Sequence, residues 1–169
     1  GSIDGNGAVG LASSDTATLA AAPVGTVGSP ASATVTGFDS SPQAVLGMGL
    51  HELQQYANYY RDSRIVDGAD AIRRVQEATK NGGVVMIRGK SIFPPFLPMR
   101  FEDVLWVVVG DMDMNALSDV EIDGVVYVTG DANIAGKNRI EGTLVVRGSL
   151  TIGGSLSRPA SVRYNRQRV

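Results

Sequence analysis

GVVYVTGDANIAGKNRIEGTLVVRGSLTIGG, residues 124–154, decides the fold, because glycine recurs in it at 124, 130, 136, 142, 148 and 154. The second and fourth residues after each of the first five glycines, from Val126 and Val128 to Leu150 and Ile152, are apolar except for Asn138. Polar residues such as Asp131, Asn133, Lys137, Arg139, Glu141, Arg147, Ser149 and Thr151 stand between them. Two-residue alternation sends neighbouring side chains to opposite faces of a strand, and glycine at a fixed interval marks corners where short strands meet.

Working outward, one template fits four segments, each centred on a glycine: Val85-x-Ile87-x-Gly89-x-Ser91-x-Phe93, Trp106-x-Val108-x-Gly110-x-Met112-x-Met114, Val126-x-Val128-x-Gly130-x-Ala132-x-Ile134 and Leu144-x-Val146-x-Gly148-x-Leu150-x-Ile152. The central glycines lie 21, 20 and 18 residues apart, and the last interval holds three six-residue units. Three short faces per turn make a triangular coil whose backbone pairs with the coils above and below at about 4.8 Å. The chain therefore reads as mainly β, a β-solenoid of about 18–21 residues per coil. Val85, Trp106, Val126 and Leu144, and likewise Ile87, Val108, Val128 and Val146, are expected to stack as inward columns. An antiparallel sandwich also alternates, but does not require a shared period near 20. One residue separates the inward aliphatic from the corner glycine, as in Ile134-Ala135-Gly136, which favours a right-handed β-helix over a left-handed hexapeptide coil.

Composition bounds the rest. With 169 residues, 43% hydrophobic content and a net charge of −2, the chain fits one compact domain. No apolar run approaches the ~18 to 20 residues that cross a bilayer, and no secretory signal is visible. Zero cysteines and a single histidine, His51, exclude disulfides, cysteine-zinc sites and multi-histidine metal sites. The balanced charge carries no strong nucleic-acid signal. Arg158, Arg163, Arg166 and Arg168 make the C-terminus locally basic, either as a solvated tail or as a contact for an acidic partner. Gly1-Ser2 resembles a pair left by cleavage, which would place the natural start upstream.

Residues 1–45, rich in Gly, Ala, Ser and Thr, read as an irregular first coil or a linker, and residues 46–82 as a two-helix insertion before the solenoid of 83–169. In the insertion, Leu50, Leu53, Tyr56, Ala57 and Tyr60 recur at helical spacing between Met48 and Tyr60. Ala71, Ile72, Val75 and Ala78 do so between Asp70 and Thr79, with Asn81-Gly82-Gly83 as the stop. The lone His51 has no second base beside it and reads as an ordinary side chain.

Two departures from the repeat stand out. IFPPFLPMRF, residues 92–101, carries three prolines and several large apolar groups. It is either a loop folded over the solenoid or a partner-binding element built on Phe93, Pro94, Pro95, Phe96 and Leu97, to which the basic Arg163, Arg166 and Arg168 can be added. The second departure is acidic: Asp111 stacks near Asp131, and Asp113 near Asn133, all pointing outward on adjacent coils. Solvent screening or a calcium ion on Asp111, Asp113 and Asp131 would relieve the repulsion. Asp119, Glu121 and Asp123 alternate outward on another face and read as solvated. A carboxylate pair on a solenoid also suits polysaccharide cleavage, with Asp111 and either Asp131 or Asp113 as the pair, but the short later connections leave no walls for a groove. No phosphate loop, dinucleotide fingerprint, catalytic triad or zinc motif is present, and neither a catalytic nor a cofactor set is expected.

The succession GVVYVTGDANIAGKNRIEGTLVVRGSLTIGGSL, followed by SVRYN at 161–165, resembles the ectodomains of PilX-type minor pilin and pilus-assembly proteins of bacteria, over about residues 84–165. The resemblance implies an extracytoplasmic module tethered by an N-terminal apolar helix upstream of this sequence, with pilus or surface-assembly proteins, and a glycan or host surface, as partners. The expectation is a non-catalytic structural or adhesive ectodomain of a cell-surface protein. A polymerising scaffold similar to bactofilins, which would be cytoplasmic, is the first alternative, and a polysaccharide-binding or polysaccharide-cleaving β-helix the second.

Overall fold

The computed structural model describes residues 2–4, 12–13, 33–34, 39–62, 69–155 and 158–163. In chain order the elements are β1 (Ser2–Asp4), β2 (Ala12–Ser13), β3 (Ala33–Thr34), α1 (Pro42–Leu46), α2 (Leu50–Gln55), β4 (Tyr59–Asp62), α3 (Ala69–Ala78), β5 (Gly83–Arg88), β6 (Ser91–Ile92) and β7 (Pro98–Val109). There follow β8 (Met112–Met114), β9 (Asp119–Val128), β10 (Ala132–Ile134), β11 (Arg139–Val146), β12 (Leu150–Ile152), β13 (Gly154–Ser155), β14 (Arg158–Pro159) and β15 (Ser161–Arg163).

Parallel pairing organises the molecule. A seven-stranded sheet runs β1-β15-β11-β9-β7-β5-β4 and a four-stranded sheet runs β12-β10-β8-β6. Among the described strands only β13 and β14 pair antiparallel, so the sandwich is excluded and the chain is a β-solenoid of about four turns. The registers are those the template demands: Val85 pairs with Trp106, Trp106 with Val126 and Val126 with Leu144, while Ile87, Val108, Val128 and Val146 form the neighbouring column.

The long strands bend, and that bend divides one sheet into two of the three faces. Face 1 carries residues 98–101, 119–122, 139–141, 161–163 and 2–4, face 2 carries 59–62, 83–88, 104–109, 124–128 and 142–146, and face 3 is the four-stranded sheet. Gly142 shows why glycine marks this edge: its φ is +129°, and a Cβ there would collide with the carbonyl oxygen of Gly124 on the next coil. The coil of β7 turns the same edge without glycine, through a bulge between Phe101 and Val104 in which Asp103 takes φ +52°.

The column is filled by Val85, Ile87, Phe93, Trp106, Val108, Met112, Met114, Val126, Val128, Ile134 and Ile140, all buried. Trp106 sits between Phe93 and Phe101, with ring centroids 5.4 and 4.9 Å away. Each such side chain stabilises the coil by about 1.5–3 kcal/mol on burial. At the third corner Asn138, fully buried, donates to the Met114 and Asn115 carbonyls of the coil below and accepts from the Val120 N–H, satisfying backbone that the turn leaves unpaired.

The insertion does two jobs. α3 fits its expected stripe, and its Ile72 and Val75 join the cluster of the inner column, with α3 lying against β4, the edge strand of the seven-stranded sheet. Of the helix expected from Met48 to Tyr60 only Leu50–Gln55 is helical, its end giving way to β4, and a further short helix not expected from the sequence, α1, precedes it and is ended by Gly47 in the left-handed conformation. Leu53 is buried, but Tyr56 is 63% exposed and Tyr60 lies on β4, because the chain must straighten to pair Tyr59–Asp62 with β5. α1 and α2 cover the outside of face 2. There Leu53 packs with Met86, Val107 and Tyr127, flanked by Val45, Leu46, Met48, Leu50, Val84, Leu105, Val109 and Val145.

Most of 1–45 lies outside the described residues. Within it, β2 pairs parallel with β3 at a spacing of one coil, Ala12 opposite Ala33. β1 pairs with β15, which places it at the opposite end of the sheet from β4.

Candidate functional site

Two surfaces break the solenoid's regularity, one polar and one apolar. The polar one lies along the outside of face 3 and its leading corner, where Lys90, Asp111, Asp113, Asp131, Asn133, Ser149 and Thr151 line an open depression of about 240 Å³. β8, β10 and β12 turn Met112, Met114, Ala132, Ile134, Leu150 and Ile152 inward, so Asp113, Asn133 and Thr151 must point out in a row.

Every carboxylate in this row has an assigned task. Asp111 Oδ1 accepts the backbone N–H of Asp131, 3.0 Å away, and Asp131 Oδ1 accepts that of Ser149 at 2.7 Å. Each side chain thus ties its own coil to the next. Glycine at 130 and 148 is a condition of this, since a Cβ at either position would occupy the place of the aspartate oxygen below it. Asp113 Oδ1 accepts from Asn133 Nδ2 at 3.0 Å, and its Oδ2 lies 3.7 Å from Lys90 Nζ. The stacking expected from the sequence is present, and its repulsion is relieved by amide donors and one ammonium group. Among the described residues no three Asp, Glu or His side chains converge in a way that could hold a metal ion. Asp111, Asp113 and Asp131 are spread over the row as hydrogen-bond acceptors.

One acidic expectation is corrected: Asp123, read as solvated, is 2% exposed at the bend that immediately precedes Gly124, whereas Glu121 stays near the surface, 3.8 Å from the Arg100 guanidinium. His51 is exposed on α2.

The apolar surface is the corner formed by the proline-rich loop. Phe93 is only 2% exposed and stacks on Trp106, so it belongs to the core and not to a contact surface, as its place in the glycine-centred template requires. Three residues later the chain does the opposite. Phe96 is 74% exposed and Leu97 38%, Pro95 is exposed, and Pro94 is half-buried. Phe96 has φ +63°, a left-handed conformation that costs a bulky residue about 1–3 kcal/mol. Its N–H donates to the Leu117 carbonyl at 2.9 Å, which brings Leu117, 49% exposed, to the same corner. Leu117 was not among the sequence candidates. The signal for it was available, since it occupies the equivalent corner one coil after Phe96. Arg163 is exposed on β15 opposite Glu141, away from this loop in sequence, while Arg166 and Arg168 lie outside the described residues.

A family model described as a domain of unknown function (DUF8470) matches residues 99–155, the coils that carry the polar row. No curated protein and no solved structure matches the chain.

Proposed function

We propose that this protein is a non-catalytic structural or adhesive module of a bacterial cell-surface assembly, a short rigid rod that meets a neighbouring protein through the corner of Phe96, Leu97 and Leu117. The observation that carries the reading is Phe96. An exposed ring contributes little to folding, and a left-handed backbone penalises it, so its value lies in a contact outside the chain. The polar row supports the non-catalytic part, because its carboxylates are committed to bonds between coils and the depression has no walls to exclude water. An extracytoplasmic location follows from the pilin resemblance. Coaxial polymerisation of the bactofilin kind is disfavoured by α3, whose Ile72 and Val75 join the column's cluster beside β4, the edge strand that a second copy would have to stack upon.

The test is Phe96→Asn, alone and with Leu97→Ser and Leu117→Ser, in the full natural protein in its own cells. Asparagine tolerates the left-handed conformation, so thermal stability is expected to hold or rise, while surface assembly and adhesion fall. Unchanged assembly and adhesion in the triple variant contradict the proposal. Polysaccharide hydrolysis that disappears on Asp111→Ala or Asp131→Ala would assign the protein to the enzymes instead.

A further inference from the structure

We infer that residues 39–58 form a detachable strap, which opens as a unit from the outer side of face 2 while the solenoid beneath stays folded, and so uncovers an apolar row of Met86, Val107, Tyr127 and Val145. The row is built by register: Met86 pairs with Val107, Val107 with Tyr127 and Tyr127 with Val145, one residue per coil, all facing away from the column. Met86, Val107 and Tyr127 are 0% exposed, and Leu53 of the strap, with Val45, Leu46, Met48 and Leu50, packs in the same cluster with them.

The strap and the rod differ in what holds them. α1 has five residues and no buried side chain, and α2 has six with Leu53 alone buried. Isolated helices shorter than about 12–15 residues are marginal in water, so these two exist because face 2 is there. Local bonds shape the strap itself, including Asp39 Oδ1 accepting the Ser41 N–H and Ser41 Oγ that of Ala44. Among the described residues two hydrogen bonds pin it to the rod at its ends, beside an attraction between Asp39 and the Arg147 guanidinium. Tyr127 Oη donates to the Ser40 carbonyl at 2.6 Å, and the Val84 N–H donates to Asn58 Oδ1 at 2.8 Å. Gly83 makes the second pin possible, since a Cβ there would fall on Asn58 Oδ1. Among the described residues no strand pairing joins 39–58 to the solenoid, whereas β5, β7, β9 and β11 are joined by ladders of six to nine registered pairs. Breaking the strap away severs two pins, the Asp39–Arg147 attraction and one apolar contact layer. Breaking a coil severs a ladder and opens the column. Segments held this way open at lower free energy than the global transition.

The chain has no cysteine, which permits a direct test on the full protein. Val107 and Val108 are neighbours on β7, both 0% exposed, one under the strap and one in the column. Under native conditions iodoacetamide is expected to label Val107→Cys at least about tenfold faster than Val108→Cys. Adding Tyr127→Phe, which removes the pin to Ser40, should speed labelling at 107 by roughly 2- to 10-fold and leave 108 unchanged. Hydrogen exchange on the unsubstituted chain should show the amides of Val45 and Leu53 losing protection before those of Val107 and Val108. Equal labelling at the two positions, or exchange of the strap amides only together with the column, overturns the inference. The exchange arm decides the matter should either cysteine variant fail to fold.

Discussion

Faces 2 and 3 share one column on their inner sides and differ on their outer sides. Behind face 2 stand Val84, Met86, Leu105, Val107, Val109, Tyr127 and Val145, roofed by α1 and α2. Behind face 3 stand Asp113, Asn133 and Thr151, with Asp111, Asp131 and Ser149 at the corner, open to water. A parallel sheet buried on both sides needs apolar residues at every position, and one with a wet side needs only alternate ones. The same coil therefore carries a wall that is held by packing and a wall that is held by polar bonds between rungs.

The largest effect should come from the layer common to both. Val128→Asp places an unpaired charge in the column and is expected to yield no folded protein, read by the loss of cooperative urea unfolding through the fluorescence of Trp106, the single tryptophan. The outer walls then separate. Met86→Ala, beneath the strap, should cost about 2–4 kcal/mol in the same assay, while Asn133→Ala on face 3 should stay within about 1 kcal/mol. A face 3 substitution as costly as Met86→Ala would mean that the polar wall is packed as tightly as the apolar one.

At the corner, Gly130→Ala sets a Cβ against the Gly110 carbonyl, 2.7 Å away, and against the Asp111 carboxylate, and should destabilise by about 1–3 kcal/mol. Asp131→Ala loses only the bond to the Ser149 N–H, at about 0.5–1.5 kcal/mol. Asp111→Ala combined with Gly130→Ala should then cost less than the two changes separately, because the first removes one of the atoms the new methyl group meets.

The smallest effect is a pH dependence confined to face 2. Burial pushes the Tyr127 hydroxyl above its ordinary value near 10.0, against the pull of the Arg147 guanidinium, with Asp39 raising it further. The folded state therefore holds this proton more tightly than the unfolded state. Its contribution is complete below the unfolded pKa and is lost as pH rises through the higher folded one. Thiol labelling of Val107→Cys should accelerate on going from neutral to strongly alkaline pH, after correction for the reagent's own pH dependence. Tyr127→Phe should flatten that rise.

The column was legible in the sequence because two signals agreed: alternation named the inward residues, and the glycine spacing fixed which coil neighbours which. Phe93 illustrates how far this reaches. Its place in the template makes it an inward residue, and the proline-rich setting that made it look like a contact belongs to Pro95, Phe96 and Leu97. The outer wall of face 2 was harder to read, although runs such as VVMI at 84–87 and VLWVVV at 104–109 leave no polar position between the inward ones. An inward template accounts for half of such a run and is silent on the rest. The cover was hidden for a different reason. Helical spacing announced LHELQQ but not the wall it covers, and PQAVL is too short to declare a helix at all; both are held by the wall they protect. The polar row was located correctly as a stack of acidic residues, but spacing could not reveal that Asp111 and Asp131 reach backbone N–H groups of the next coil.

The central claim is a finite rod, with α3 against its edge strand at one end, presenting side surfaces. Sedimentation velocity of the full chain over a hundredfold range of concentration tests it most directly. The account predicts a single monomeric species with a concentration-independent sedimentation coefficient, and filaments or a ladder of end-to-end oligomers growing with concentration would contradict it.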